Sequence, residues 1–192
     1  MERHSLLSAH HSSLSTHHFL LSVVNFFFMN TAYLSLTSLA GDRAANLLRA
    51  LSAIFIGNMH LNSASSIYEI QNEAGNSVAL TVVISLSAER LEAFSLKKYC
   101  QSTEDRLSRK ALIERGERSI EIDVLLMDDQ VIEEKRDGVQ LVLPHPYLHR
   151  RRDLLMPLTE IAPHLQHPAL GETMTHLLGA VEDSTTVKIY RG

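Results

Sequence analysis

The chain carries alternating and helical hydrophobic patterns from residue 31 to residue 190. Strands are predicted where apolar and β-branched residues alternate or run together, at residues 31–36, 61–70, 78–86, 120–127 and 186–190. Helices are predicted where apolar residues recur at helical spacing, at residues 47–54, 87–105, 154–161 and 171–180. The βαββαβ order of the first six elements predicts an α+β sandwich, with helices packed on one face of a mostly antiparallel sheet.

Polar stretches separate these elements. Gly41-Asp42 predicts a turn and a helix cap, and the Gly and Asn residues of 72–76 predict a loop. Residues 108–117 are polar and predict a second loop, and residues 128–130 predict a turn. No internal repeat is seen, so the pattern indicates one domain.

Residues 1–28 differ from the rest of the chain because they combine five histidines, several serines and a short apolar run. The run is too short to span a bilayer, and it lacks the flanking charge and cleavage site of a secretion signal. The histidines lack the spacing of metal ligands. We expect residues 1–28 to be an extension outside a single domain of residues 29–192, with Met29 as the natural first residue. A membrane or targeting role for the extension is the alternative.

Composition narrows the class of protein. The 192 residues are 45% hydrophobic and carry a formal net charge of −4, as in an ordinary soluble globule with a workable core. A mildly negative chain argues against a dedicated nucleic-acid binder, and we expect no membrane partner. Cys100 is the single cysteine, so no intrachain disulfide forms and a reducing cytoplasm is the expected compartment.

Two acidic residues lie in the apolar run of residues 120–127. Glu121 and Asp123 are two residues apart, so a strand puts both carboxylates on one face, where they suit Mg²⁺. We expect Arg118 on the same face. His145 and the arginines of 150–152 add positive charge that suits a polyphosphate. An acid pair near a basic group is what phosphoryl transfer from Mg-ATP requires.

The spacing alone also permits a simpler interpretation. An alternating acid on a strand is often part of its solvated face, and a run of three arginines is usually surface. Residues 145–152 are therefore either a phosphate-binding site or a solvent-exposed basic segment.

Five motifs follow one another in order between residues 30 and 180. Residues 32–43 hold a strand and turn, Ser65-Ser-Ile-Tyr68-Glu69 a second strand, and residues 101–109 a helix. Arg118-Ser-Ile-Glu-Ile-Asp-Val-Leu-Leu and the segment of residues 144–163, which contains Met-Pro-Leu-x-Glu-Ile-Ala-Pro, complete the set. Together these motifs resemble the 6-hydroxymethyl-7,8-dihydropterin pyrophosphokinase family, and their collinear order indicates homology.

Several positions depart from the family pattern. The opening Gly-Ser-Asn is Thr37-Ser-Leu here, the first metal-binding aspartate is Glu121, and the glycine before Arg109 is a serine. The second loop arginine has no clear match, and we expect Lys110 to stand in for it. On the pterin side the loop aromatic falls on Arg115 and the signature phenylalanine on Asp153. The nucleotide half of the site is thus largely present, whereas the pterin half is eroded.

The resemblance implies a ferredoxin-like fold, ATP as substrate with Mg²⁺, and a pterin-like acceptor. It implies that two residues hold the metal, Glu121 and Asp123. It assigns charge stabilisation to Arg109, Arg118, His145 and Arg151, and further nucleotide contacts to Gln101, Glu104 and Lys110. Within the basic segment it implies that His145 and Arg151 contact phosphate, whereas Arg150 and Arg152 point to solvent. It assigns the pterin site to Tyr68, Asn76, Arg115 and Asp153, with Ser77 as the alternative to Asn76.

The function that the resemblance implies is transfer of pyrophosphate from ATP to the pterin alcohol in folate biosynthesis, with other folate-pathway enzymes as partners. Two alternatives stay open. An inactive relative would keep the fold and bind a nucleotide or a protein. A kinase with an altered acceptor would explain why the departures concentrate in the acceptor half. Asp153 offers no surface on which a pterin ring could stack, so we expect it to pair with a neighbouring arginine.

Overall fold

The structure, a computed structural model, describes residues 29–55, 58–116, 118–182 and 184–192. Its strands are β1 Met29–Ser38, β2 His60–Ala64, β3 Tyr68–Gln71, β4 Ser77–Glu89, β5 Ile120–Met127, β6 Ile132–Arg136, β7 Val139–Leu143 and β8 Thr186–Ile189. Its α-helices are α1 Arg43–Ile54, α2 Ala93–Arg115, α3 Arg152–Ile161 and α4 Met174–Ala180. A 3₁₀ turn at Leu148–Arg150 leads into α3.

The main sheet has the strand order β5-β1-β4-β3-β8, and β2 also pairs with β4. All its strand pairs are antiparallel. β1 is central, because it pairs with β4 along its whole length and with β5 from Ala32 to Ser38. β6 and β7 form a separate hairpin. The predicted α+β class and the mostly antiparallel sheet are confirmed.

Helices cover both faces of the sheet. Leu36 of β1 and Val82 of β4 face α1 and α2 in one core cluster, whereas Val83 and Leu125 join α3 and α4 in a second. The expectation that helices pack on one face therefore holds for α1 and α2 only. The reason lies in β4, whose residues 79–88 are all buried, as in a strand enclosed on both sides.

Helix α2 extends about ten residues beyond its predicted end. Residues 108–115, predicted as part of a loop, are helical, and the helix ends at Gly116, which adopts a left-handed φ of 70°. Arg109 and Glu114 are exposed there, on the outer side of a helix instead of a loop. Ser108 marks the inner side, since it is buried and its hydroxyl accepts a hydrogen bond from the Ser119 backbone N–H at 3.2 Å. The predicted cap of α1 is confirmed, because Asp42 accepts from Ala45 N at 3.0 Å.

Three features differ from the predicted strands. β4 continues to Glu89, so residues 87–89, predicted as the start of a helix, belong to the strand, and α2 begins at Ala93. Residues 61–70 form two strands instead of one, because the chain leaves the sheet edge between β2 and β3 at Ser65, whose hydroxyl accepts from Val83 N at 3.0 Å. The β6–β7 hairpin was not predicted. Its turn is Asp137-Gly138, both with positive φ, which is the sequence signal of a two-residue hairpin loop.

The prediction that residues 1–28 form an extension lies outside the described residues. Within the part of the chain that the structure describes, no helix combines the length and the apolar character needed to cross a bilayer. Cys100 is fully buried, and burial raises the pKa of its thiol to about 12. Cys100 therefore has a packing role, since a buried neutral thiol is unreactive.

His167 is buried beneath the C-terminal helices with its ring edge-on to His149, the two ring centroids being 6.2 Å apart. Neither ring nitrogen has a hydrogen-bond partner among the described residues. Burial, and then the neighbouring His149, lower the pKa of His167. The folded protein therefore binds fewer protons here than the unfolded chain does.

A pH dependence of stability follows from this histidine. Because the pKa is lower in the folded state, stability is full above the unfolded value of about 6.5 and falls as the pH drops below it. We expect His167→Leu to change the free energy of unfolding by no more than ~1 kcal/mol at pH 8 and to flatten its fall between pH 7 and pH 5. Denaturant titrations at several pH values measure this, with exposed His164→Leu as the control. An unchanged slope in His167→Leu would contradict it.

Candidate active site

The acid pair lies on the outer strand of the main sheet. Glu121 is in register with Thr37 of β1, and Asp123 is in register with Ser35, so the two carboxylates share one face as predicted. Glu121 is exposed, and the Asp123 side chain is 32% exposed. Two accessible oxygen donors are therefore available at one edge of the sheet.

A row of polar side chains crosses the sheet from Glu121. The row continues through Thr37 and Thr81, whose hydroxyls are 3.0 Å apart, to Tyr68, which is in register with Thr81. Three strand spacings separate its ends, or about 14 Å. The Tyr68 hydroxyl donates to Glu160 at 2.9 Å, and burial followed by Glu160 raises its pKa to about 12. Tyr68 is thus a fixed hydrogen-bonding group and not a proton acceptor at neutral pH.

His145 is attached directly to the strand that carries the acids. Its backbone N–H donates to Leu125 O at 2.8 Å. Its Nδ1 accepts from the Tyr147 backbone N–H at 3.4 Å, which assigns the ring proton to Nε2. Burial lowers the pKa of His145, while Asp123 opposes this and Arg151 and Lys97 add to it. The imidazole is therefore neutral at pH 7 and offers one N–H donor beside the acid pair.

Arg151 and Asp153 form a two-pronged ion pair at the start of α3. The Nε of Arg151 donates to Oδ1 of Asp153 at 3.0 Å, and its Nη2 donates to Oδ2 at 2.5 Å. This hydrogen-bonded pairing raises the pKa of Arg151 most, and the charges of Asp123 and Glu121 raise it further. The expectation that Asp153 pairs with a neighbouring arginine is confirmed. Asp153 is buried, so this two-pronged pairing fixes the orientation of the guanidinium.

Arg150 and Arg152, on either side of Arg151, have different surroundings. Arg150 is exposed, as expected. Arg152 was expected to point to solvent, but its Nη2 donates to Val181 O at 3.1 Å. Arg152 is the first residue of α3, and its side chain extends to the end of α4. It therefore joins the C-terminal helices to each other.

One face of α2 lies along the free edge of β5. Lys97, Gln101 and Glu104 recur at helical spacing on α2. Glu104 is buried, accepts from the backbone N–H of Ile122 at 2.5 Å, and has a pKa raised chiefly by burial. Lys97 places its ammonium 3.6 Å from Asp123. Lys97 was not predicted, although its spacing of four residues before Gln101 was the available signal.

The remaining predicted residues lie at different places. Arg118 was expected on the face of the acid pair, but its guanidinium pairs with Glu104 at 3.5 Å and Asp105 at 3.3 Å on α2. The reason is that β5 begins at Ile120, so the alternation of the strand does not reach Arg118. Arg109 is exposed near the end of α2. Asn76 is exposed in the β3–β4 turn, where its backbone N–H donates to Asn72 at 2.9 Å.

The side chains of two further predicted residues, Lys110 and Arg115, lie outside the description, although both belong to α2. Their predicted contacts with nucleotide and pterin remain predictions. Ser77, the alternative to Asn76, begins β4 beside Gln71.

A cavity of about 250 Å³ adjoins the acid pair between β5 and β7. Its polar lining comes from Lys97, Asp123, Gln140 and His145, and its apolar lining from Val124, Leu141, Val142 and Pro146. The residues from β7 could not be assigned from sequence because the hairpin was not predicted. An apolar cleft beside two carboxylates and an imidazole N–H suits a flat heterocycle that carries a phosphate group.

The donor set also restricts the metal. No group of three or more His, Cys, Asp or Glu side chains is assembled in the described part of the chain. A zinc site in a protein has three or four side-chain ligands, mostly Cys and His, whereas the acid pair supplies two carboxylates. These carboxylates suit Mg²⁺, which completes its coordination with water and substrate phosphates.

Comparison with known proteins agrees with this geometry. Residues 33–163 match the family model described as 7,8-dihydro-6-hydroxymethylpterin-pyrophosphokinase. A 2-amino-4-hydroxy-6-hydroxymethyldihydropteridine pyrophosphokinase from Aquifex aeolicus is 33% identical over 144 residues, covering 73% of this chain and 85% of that protein. One of the same name from Haemophilus influenzae is 30% identical over 164 residues, covering 84% and 99%.

Solved structures agree at the level of the fold. A Plasmodium falciparum HPPK-DHPS structure aligns with a TM-score of 0.62 and 14% identity over 79% of this chain. The chain spans 45% of that longer protein. The family model covers most of the chain, and the Aquifex aeolicus and Haemophilus influenzae proteins match it over most of their own lengths. The chain therefore belongs to the 7,8-dihydro-6-hydroxymethylpterin-pyrophosphokinase family.

Proposed function

We propose that this protein transfers pyrophosphate from ATP to 6-hydroxymethyl-7,8-dihydropterin in folate biosynthesis. The observation that carries the proposal is the convergence of Glu121, Asp123, His145 and Arg151 at the outer edge of the sheet. His145 is bonded through its backbone N–H to Leu125 of the strand that carries the acids, and the charges of Asp123 and Glu121 help to raise the pKa of Arg151, which supports their proximity. The names of the curated relatives support the reaction.

The nucleotide half of the site has a base cleft and a phosphate region. Val124 and Val142 wall the cleft on opposite strands, where an adenine ring would exclude water. His145 donates from Nε2 and Arg151 supplies a fixed positive charge, so both suit phosphate oxygens. Gln101, on the α2 face that follows the β5 edge, is half-buried and available to the base or the ribose.

Glu121 and Asp123 would hold Mg²⁺, which neutralises and orients the phosphate oxygens of the nucleotide when it is bound. The reaction joins the hydroxymethyl oxygen of the pterin to the β-phosphorus of ATP. The bond from that phosphorus to the oxygen bridging the α-phosphate breaks, AMP leaves with this oxygen, and the hydroxyl proton is lost. The chain supplies positioning and charge, because neutral His145 and paired Arg151 hold their donors in place throughout.

The acceptor half uses a different set of side chains from the family pattern. Tyr68, held by Glu160, is a polar group at the far end of the row that begins at Glu121. Asp153 does not offer a stacking surface, because Arg151 takes both of its oxygens. We propose that Asp153 positions Arg151. We propose also that the pterin contacts lie along the polar row between Glu121 and Tyr68. The comparisons do not favour the inactive relative or the altered acceptor.

The compartment and the partners follow from the same proposal. A single buried cysteine fits a reducing cytoplasm, which we propose as the location. The structural relatives carry HPPK and DHPS in one chain. We propose accordingly that other folate-pathway enzymes are the functional partners of this protein.

Replacing an acid of the pair tests the proposed function. We expect Asp123→Asn to lower the rate of AMP release from ATP, Mg²⁺ and the pterin by roughly a hundredfold or more, because charge stabilisation is lost. Glu121→Asp should keep activity within about threefold, since the carboxylate remains. Asp129→Asn, an exposed turn residue after the same strand, is the control. Full AMP release by Asp123→Asn would refute the metal assignment.

The basic segment should contribute unequally. Arg151→Lys keeps the charge but loses the planar fork, and a charge-assisted bond is worth ~1.5–3 kcal/mol, or a loss of roughly 10- to 150-fold in kcat/KM. The exposed Arg150→Lys should stay within about twofold, because surface charges contribute little. Melting curves show whether the loss of the Asp153 pair has unfolded the protein. Equal losses at both positions would indicate a diffuse electrostatic patch instead.

A further inference from the structure

Lys97 lies beside Asp123, and the resemblance to the family assigned it no role. Its ammonium lies 3.6 Å from Oδ1 of Asp123, and its side chain is 20% exposed. It also lines the cavity beside Asp123 and His145. Burial raises the pKa of Glu104 and lowers that of His145, and the charge of Lys97 opposes the first shift and adds to the second, as expected of a neighbour of both groups.

The neighbouring lysine shows what an ordinary surface ion pair on this helix looks like. Lys98 contacts Asp137 at 2.9 Å, and the two side chains are 46% and 70% exposed. Lys97 is less exposed, its partner is an expected metal ligand, and its separation is too long for a tight hydrogen bond. The ammonium is therefore held by charge and not by a fixed bond, so it can be displaced.

We infer that Lys97 is a built-in counter-cation that neutralises Asp123 while the metal site is empty and competes with the divalent cation for it. The inference rests on the proposed function, because it takes Glu121 and Asp123 as the metal ligands. Arg151 is engaged with Asp153, whereas the ammonium of Lys97 pairs with Asp123 itself. A like charge at this distance opposes cation binding directly.

This arrangement has a consequence for the order of binding. With the ammonium on Asp123, the acid pair attracts a free divalent cation weakly. A nucleotide brings phosphate oxygens that can pair with the Lys97 ammonium. This pairing releases the Asp123 carboxylate for the metal. Lys97 thereby favours loading of the metal together with the nucleotide over loading of the metal alone.

The test measures binding of Mn²⁺ alone, without nucleotide, to the full chain by electron paramagnetic resonance. We expect Lys97→Met to bind Mn²⁺ roughly tenfold more tightly than the unmodified protein, because a unit charge a few ångströms away is removed. Lys98→Met makes the same charge change on the adjacent exposed residue and should leave the affinity within about twofold. Lys97→Arg keeps the positive charge at this position and should bind Mn²⁺ as weakly as the unmodified protein does.

The outcomes separate this inference from the proposed function. Unchanged or weaker Mn²⁺ binding by Lys97→Met, with Asp123→Asn abolishing binding, would overturn the role of Lys97 and leave the metal assignment standing. Mn²⁺ affinity that is insensitive to Asp123→Asn would reject the metal assignment itself. Equal gains in Lys97→Met and Lys98→Met would show a general charge effect and would also overturn the inference. Circular dichroism melting of each variant confirms that the measured chains are folded.

Discussion

The outer edge of β5 is the constraint on which the rest of the site depends. An edge strand leaves backbone groups without a sheet partner, and these groups need partners wherever they are covered. Here Ile122 N–H donates to Glu104 of α2, and Leu125 O accepts from His145 N–H. These two bonds flank Asp123 on the chain. They bring a helix and a loop from distant parts of the sequence to the strand that carries the acids.

The charges around this edge are arranged so that each has an opposite partner before any ligand binds. Arg151 is held by Asp153, Arg118 by Glu104 and Asp105, and Asp123 by Lys97. Burying charges without partners would cost several kcal/mol each. Glu121 is the exception among the acids discussed, since it is exposed to solvent. The site is therefore compatible with a stable fold and still presents carboxylate, imidazole and guanidinium groups to a ligand.

Local sequence signals predicted the parts of the site that depend on local structure. Glu121 and Asp123 share a face because alternation along one strand decides it, and the Asp42 cap is equally local. The predicted side-chain directions of Arg118 and Arg152 were wrong because their contacts lie with other elements, α2 and α4. No pattern within the immediate neighbourhood of either arginine specifies these partners.

The helix α2 and the β6–β7 hairpin show two further limits. Polar residues near the end of α2 were taken as a loop, although a long surface helix has an equally polar outer side. The hairpin had a recognisable Asp137-Gly138 signal, but its strand β6 is almost wholly exposed and lacks a clear hydrophobic face. Because the hairpin was not predicted, Gln140 and Val142 could not be identified as cavity residues from the sequence. Lys97 was missed because a single lysine on a helix is ordinarily a surface residue.

The central claim is that a metal-nucleotide complex binds at the outer edge of β5. Paramagnetic broadening of amide NMR signals by a small proportion of Mn²⁺-ATP tests it most directly, because the effect falls steeply with distance from the metal. The account predicts strong broadening at Glu121, Asp123 and His145, and far weaker broadening in β8, which is four strand spacings or about 19 Å across the sheet. Broadening centred on β8, with sharp signals at Glu121 and Asp123, would contradict the account.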